Sequence, residues 1–400
     1  MPEQPIKDKT AIAGIGWTPF TRDSGTSAAN LAAQACITAI QDAGLTVRDI
    51  DGAITYFHEH QDTCAPRELA EMIGMPRSNF NVYHDGGGSW SPASVLTAAM
   101  LVHSGVCKNV LVYRSKNGYS EGRKNPRERS SHVPGPAQFT APFGTSHAAV
   151  GIGLYATAHM ARYGTTPVDF AHLAVTQRQH AMLNKKAMMR KPMSIEDHQN
   201  SRWIVYPFRL LDCCLQTDGA VALVVTSAER AKDLRHKPVY IMAGVGGAVG
   251  LGGRGEAPTL LETAGAHAAP LLFEGAGIKP GDVSFAEVYD PFTMMCMVHI
   301  EDFGFVKKGE IGAWVREGHN KLDGRLPVNT HGGLLSEAHI HGLNHVIEAV
   351  QQLRPEGVVD DLCEGPHSYD RSVCRQVRDP RIGLVCGEGG ESALLLRRDG

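Results

Sequence analysis

Apolar residues recur along the chain with two spacings, near 2 and near 3.6, and the switches between them mark out alternating strands and helices. Ala11–Gly16 is a short apolar run closed by glycine and by Trp17-Thr18-Pro19, a strand followed by a turn. Over Ser27–Ala43 the residues Leu31, Ala32, Ala35, Ile37, Ala39 and Ile40 keep helical spacing, and Gly44 supplies a stop. Asp51–Phe57 reads as a strand. Asp85-Gly86-Gly87-Gly88-Ser89 then leads into a helix over Pro92–His103, with proline near its start, and Asn109–Tyr113 is another buried strand. This β-α-β-α-β order predicts an α/β fold with a mostly parallel sheet covered on both faces.

The rhythm breaks between Lys116 and Pro142, which is rich in Arg, Ser, Pro and Gly. Helical pattern returns at Ala148–Tyr163 and Val168–Lys185, and the stretch up to Trp203 is irregular and basic. Residues 116–210 are therefore expected to be an excursion from the first half, a lid over a substrate. Asp218–Thr226 returns as a core strand, and Ala228–Pro238 reads as a linker. Beyond it come a strand at Val239–Val245, a helix over Thr259–Gly275, a strand at Phe285–Tyr289 and a helix through Met294–Phe303. A helix from His339 to Leu353 follows, then an antiparallel pair, Arg381–Cys386 and Ala393–Arg397, around Gly387–Ser392. The division expected is a first half over 1–238 and a second over 239–400.

The two halves repeat a phrase. Ala43-Gly44-Leu45-Thr46-Val47-Arg48-Asp49-Ile50-Asp51-Gly52-Ala53-Ile54-Thr55-Tyr56 matches, without gaps, Ala276-Gly277-Ile278-Lys279-Pro280-Gly281-Asp282-Val283-Ser284-Phe285-Ala286-Glu287-Val288-Tyr289. Asp49 pairs with Asp282 and Tyr56 with Tyr289 at one offset of 233 residues. Solenoid repeats have periods of about 20–50 residues, so this is a duplicated half-domain, and function should lie where the halves meet.

Composition narrows the classes. The 400 residues are 42% hydrophobic and 20% charged with a net charge of −3, which is ordinary for a soluble globular chain and leaves no basic excess to hold nucleic acid or a membrane surface. Val239–Gly253, the most apolar stretch, is too short and glycine-rich to span a bilayer, and no signal peptide is visible. The nine cysteines form no CxxC pair, so no metal site is expected, and the thiols should be mostly buried in a reduced, cytoplasmic setting.

Asp218-Gly219-Ala220-Val221-Ala222, Glu287-Val288-Tyr289-Asp290-Pro291-Phe292, and Asn329-Thr330-His331-Gly332-Gly333 followed by His339 stand in the order of motifs of the thiolase superfamily, which this chain resembles over nearly its whole length. The resemblance implies thiolase-like duplicated βαβαβαββ halves packed as five layers, α-β-α-β-α, with the active site between them. It also exposes two departures. A thiolase carries a nucleophilic cysteine at the start of the helix after its third strand, and here Gly88 takes that place within Gly86-Gly87-Gly88-Ser89. Ser89 is the local hydroxyl, without an evident triad partner. The Tyr289-to-Thr293 segment is similar to a Tyr-Asp-x-Phe-Thr motif of the thiolase-like aldolases of steroid side-chain degradation, called lipid-transfer proteins. They lack the cysteine and rely on two tyrosines; His339 stands at the second position.

Cleaving a β-hydroxyacyl-CoA by retro-aldol chemistry needs no covalent intermediate. A base takes the β-hydroxyl proton, the carbon–carbon bond breaks to a carbonyl and a thioester enolate, donors hold the enolate oxygen, and an acid protonates carbon. Tyr289 and His339 are such a proton-transfer pair; histidine titrates near neutrality without tuning, which favours His339 as base and Tyr289 as acid. The amides of Gly86, Gly87, Gly88 and Ser89 are candidates for the oxygen. His147, where some cysteine-dependent relatives carry a working histidine, is a third catalytic candidate; Asp290, His331 and His341 are candidates for touching substrate. Cys213-Cys214 and Cys386 get structural readings, and Arg123, Lys124, Arg127 and Arg129 are a basic run for a solvated face or for the adenosine phosphates of CoA.

The function expected is therefore a carbon–carbon lyase on a steroid side-chain CoA thioester, releasing a ketone or aldehyde and a short acyl-CoA such as propionyl-CoA or acetyl-CoA. CoA enters as part of the substrate, with no other cofactor. The alternatives are an acyltransferase with another nucleophile and a non-catalytic acyl-CoA-binding subunit. The resemblance also implies a homodimer and a separate small partner with a zinc ribbon and OB-fold, because this chain has no ribbon of its own.

Overall fold

The computed structural model describes residues 4–57, 63–120, 137–144, 148–247, 261–358 and 369–399. His147 and the basic run Arg123, Lys124, Arg127 and Arg129 lie outside the described residues. The first half contains β1 (Thr10–Trp17), α1 (Ala28–Asp42), β2 (Gly52–Phe57), α2 (Pro66–Ile73), β3 (Phe80–Asp85), α3 (Trp90–His103) and β4 (Asn109–Asn117). After them come α4 (Ala148–Tyr163), α5 (Pro167–Met182) and β5 (Asp218–Ser227). The second half contains β6 (Val239–Val245), α6 (Gly265–Ala276), β7 (Phe285–Val288), α7 (Thr293–Asp302), α8 (Leu343–Leu353), β8 (Ile382–Cys386) and β9 (Ala393–Arg397).

The strands lie in the order β3-β2-β4-β5-β1-β6-β9-β8-β7, and β1 joins β6 through only Ala11↔Tyr240 and Ile12↔Val239. Counted outward from that seam, the first half runs first, last, fourth, second, third strand, and the second half repeats the sequence of positions. Where its third strand would stand, Val328 makes an isolated parallel bridge to Ala286. The duplication extends to hydrogen bonds. Asp49 Oδ2 accepts the Thr46 N–H at 2.8 Å and Asp282 Oδ2 accepts the Lys279 N–H at 2.8 Å, while Gly44 and Gly277 take φ of 75° and 71°.

The sheet is mixed rather than mostly parallel. β2 pairs in parallel with β3 and β4, but β5 runs antiparallel to both β1 and β4, and the tight turn at Gly387–Ser392 makes β8 and β9 antiparallel. The middle helical layer is α3 against α8, where Val95, Ala98 and Val102 share one buried cluster with Leu343, Val346 and Val350 and with strand residues of both halves. α1 covers the outer face of the first half, and α6 with α7 covers that of the second, which gives five layers.

The described part of the excursion packs into the second half. Ala149, Ile152 and Ala156 of α4 and Phe170 and Leu173 of α5 are buried in one cluster with Leu272, Met294, Met297 and Ile300 of the second half. Apolar helical stripes of that size bury against whatever face is open, and here that face is α7. Among the described residues seven cysteines are free thiols, while Cys374 is disulfide-bonded, a departure from the wholly reduced set expected. No helix in the described residues is long and apolar enough to cross a membrane.

Candidate active site

Tyr289 leaves the C-terminal end of β7, and three elements hold it there. Asn329 clamps the preceding residue on both backbone groups: its Oδ1 accepts the Val288 N–H at 2.6 Å and its Nδ2 donates to the Val288 carbonyl at 2.9 Å. His299 of α7 and Cys386 at the end of β8 lie against the backbone of Tyr289 itself. The ring is 2% exposed. It rests on glycine: a Cβ at Gly88 would lie 2.2 Å from Tyr289 Cζ and 2.3 Å from its hydroxyl oxygen, and one at Gly342 would lie 2.8 Å from Cδ2. The tyrosine thus fills the space into which a side chain at position 88 would project.

His339 comes to that hydroxyl from the other side. Its Nε2 is 3.3 Å from the Tyr289 oxygen, with the rings edge-on at 6.3 Å between centroids. It stands in a loop, not in a helix from 339 as expected, because Gly342 in the left-handed region (φ 84°) starts α8 only at Leu343. The His339 N–H donates to Thr217 Oγ1 at 3.0 Å, and Nδ1 lies 3.4 Å from Cys214 Sγ. Burial pushes the Cys214 thiol up to about 12, against the opposing pull of Lys116, so the imidazole faces a neutral S–H.

A cationic layer lies behind His339. The His341 ring is 4.9 Å from the His339 ring. Arg114 Nη2 is 2.8 Å from His341 Nδ1, and Lys116 Nζ is 3.0 Å from His341 Nε2. Arginine only donates, so Nδ1 of His341 is the acceptor. Tyr56, the repeat mate of Tyr289, donates its hydroxyl to the His341 carbonyl at 2.9 Å.

Two residues expected near substrate are fully buried. Asp290 is fully buried, and its Oδ1 accepts the Leu334 N–H at 2.9 Å, so its charge stabilises the turn after Gly333. His331 is fully buried, with Nδ1 2.9 Å from Glu287 Oε2 and Nε2 3.5 Å from Glu337 Oε2. Burial alone would lower the His331 pKa, but Glu337 and Glu287 outweigh it and hold the ring at about 9; burial pushes the Glu287 carboxyl up. Gly86 and Gly87 turn the chain with φ of 137° and 58°, which sets Ser89 at the entry of α3; of the four amides expected to face an oxygen, that of Gly86 is already bonded to the Phe57 carbonyl at 3.0 Å.

Sequence reasoning missed Cys214, Arg114 and Lys116 at the site. Adjacent cysteines carry no spacing signal. Arg114 and Lys116 did carry one: two basic residues at alternate positions at the C-terminal end of a parallel strand, where α/β proteins bind ligands.

The thiolase C-terminal domain-like family matches residues 254–393. The 17-hydroxy-3-oxo-4-pregnene-20-carboxyl-CoA lyase of Mycobacterium tuberculosis is 40% identical over 88% of this chain and 93% of its own. A steroid side-chain-cleaving aldolase of Thermomonospora curvata is 38% identical over 87% of this chain and 91% of its own. Among solved structures, the Ltp2-ChsH2(DUF35) aldolase is 34% identical and superimposes with a TM-score of 0.87 over 98% of both chains.

Proposed function

The chain belongs to the thiolase-fold aldolases, the family of its steroid side-chain-cleaving relatives, and on that premise we propose that Tyr289 and His339 carry the proton transfers of its carbon–carbon lyase reaction. The substrate class follows from the name of the Mycobacterium tuberculosis relative: a steroid with a hydroxyl at C17 and a CoA thioester on the carboxyl attached to C20. In such a thioester C20 is the α-carbon and C17 the β-carbon. His339 takes the C17 hydroxyl proton through Nε2, the C17–C20 bonding pair moves to C20, and the products are a C17 ketone and the enolate of propionyl-CoA. The Tyr289 hydroxyl then protonates C20, and the 3.3 Å contact lets the proton held by His339 return to the tyrosine. The amides of Gly87–Ser89 at the start of α3 receive the enolate oxygen, the Gly86 N–H being bonded to the Phe57 carbonyl at 3.0 Å.

The single observation that carries this reading is the mutual fit of Gly88 and Tyr289. A nucleophile on the residue 88 side chain would overlap the ring that replaces it, so the site favours proton transfer over acyl transfer. CoA is needed only as part of the substrate. The two-protein neighbour supports assembly with a small DUF35 partner, and we include a homodimer in the proposal.

Incubation with 17-hydroxy-3-oxo-4-pregnene-20-carboxyl-CoA in D2O, with the candidate partner present, should give the 17-ketone and propionyl-CoA carrying one deuterium at C2. Tyr289→Phe and His339→Gln should each lower kcat by about 10²–10⁴-fold while remaining folded. No cleavage by the wild-type complex, or unchanged turnover in both variants, overturns the proposal.

A further inference from the structure

Next to Tyr289, whose ring lies 6.4 Å from that of His345, is a second cluster that the lyase chemistry does not use. Glu287, His331 and His345 are each 0% exposed. They come from three segments: β7, the turn after Asn329, and α8. Glu287 Oε2 is 2.9 Å from His331 Nδ1 and 3.9 Å from His345 Nδ1, and the candidate ligand atoms of the three residues all lie within 4.8 Å of one another. These contacts are not hydrogen bonds in direction. Glu287 Oε2 and all four ring nitrogens of the two histidines are buried without a hydrogen-bond partner. Each such atom costs about 1–3 kcal/mol if nothing satisfies it, and three of them, Glu287 Oε2 and the two Nδ1 atoms, are placed to share one occupant.

From this geometry we infer that Glu287, His331 and His345 bind a first-row divalent transition-metal ion, of which Zn²⁺ is the reference case. Metal–ligand bonds of about 2.0–2.2 Å in a tetrahedral site put ligand atoms roughly 3.4 Å apart, between the two separations measured from Glu287 Oε2. The surroundings have the form that metal-bound imidazoles take. Both histidines turn Nδ1 to Glu287 and Nε2 to another carboxylate, His331 to Glu337 at 3.5 Å and His345 to Asp290 at 3.3 Å. The far oxygen of Glu287 accepts the Thr330 hydroxyl at 2.7 Å. Three carboxylates thus converge on two imidazoles, with Lys186 3.8 Å from Glu337, and a divalent ion offsets the excess. Full burial makes the site structural: the ion pins together the segments that carry Tyr289 and His339. The inference stands independently of the lyase reading.

The test is elemental analysis of untagged protein after gel filtration in metal-free buffer. The expected result is about one equivalent of metal per chain, falling by roughly tenfold or more in Glu287→Gln and His345→Gln. Protein stripped by chelator should bind Co²⁺ with the visible bands of a tetrahedral N/O site and should gain Tm on adding Zn²⁺. Because the variants risk misfolding, the wild-type measurements decide alone. Folded wild-type protein with only trace metal, no cobalt spectrum and no Tm response overturns the inference and leaves a proton-sharing imidazole–carboxylate network in its place.

Discussion

Gly88→Ala is the smallest change that tests how the site is built. The added methyl carbon would stand 2.2 Å from Tyr289 Cζ, 2.3 Å from the hydroxyl oxygen and 2.4 Å from Cε2. Ordinary carbon contacts are about 3.5–4.0 Å, so the ring must retreat by more than about 1 Å. Retreat is blocked on the next face, where Gly342 already sits too close to Cδ2 for a side chain of its own. Overpacking of this kind costs about 1–3 kcal/mol of stability. A misplacement of about 1 Å at a reacting group lowers the rate by roughly 10²-fold, equivalent to about 2.7 kcal/mol of transition-state stabilisation. Steady-state kinetics should therefore show kcat down by about that factor with KM little changed. Thermal melts should show a stability loss that disappears when Gly88→Ala is combined with Tyr289→Ala, a coupling of about 0.5–3 kcal/mol. Gly88→Cys should behave like the alanine variant and accumulate no acyl-enzyme by intact mass. Wild-type turnover in Gly88→Ala would refute the reasoning, for the hydroxyl would then not need to stand where the ring holds it.

Cys214, with its thiol pushed up to about 12, should resist iodoacetamide near neutral pH, and Cys214→Ala should keep most activity; rapid labelling with loss of turnover would show a thiolate at His339. Burial lowers the pKa of His299 to about 3, so the native protein keeps this ring neutral while the unfolded chain takes up its proton below about pH 6.5. Its contribution is constant above that pH and is lost on acidification from about 6.5 towards about 3, on the order of 4 kcal/mol, and urea titrations of His299→Gln should show a correspondingly shallower acid limb. Arg375 is fully buried, and its Nε and Nη2 each lie 3.0 Å from a Glu348 oxygen; Arg375→Met should cost about 3–5 kcal/mol by denaturant midpoint, because it strands a buried carboxylate.

The repeat and the buried strands were legible in the sequence because periodicity reports burial directly. β5, β6 and the β8–β9 pair lie within a residue of where the apolar runs put them. β3 was not legible: it is an edge strand, Phe-Asn-Val-Tyr-His-Asp, with its side chains largely exposed, so no alternation marks it. The start of α8 was misplaced by four residues because a left-handed glycine, not a polar cap, begins it. That Tyr289 and His339 meet was readable from motif position. The support around them was not: Asn329, Cys214, Arg114 and Lys116 reach the pair through contacts between distant segments. The burial of His331 and Asp290 was not legible for a related reason. A polar residue in a functional motif has two destinations, the cleft or the packing behind it, and sequence adjacency does not choose between them.

Tyr56 and Tyr289 show how duplication makes that choice. Both follow the same turn and stand at equivalent strand positions, and both are buried. Tyr56 spends its hydroxyl on the His341 carbonyl, 2.9 Å away, and so fixes the loop that also carries His339. Tyr289 faces His339 itself, 3.3 Å from Nε2. One copy thus supports the loop from the first half, and the other meets the imidazole from the second, so the two strand ends hold His339 between them. A Tyr56→Phe variant, which keeps the ring and loses the bond to His341, should lower kcat more than it lowers Tm. If it lowered stability alone, the two tyrosines would be related by ancestry but not by the placement of His339.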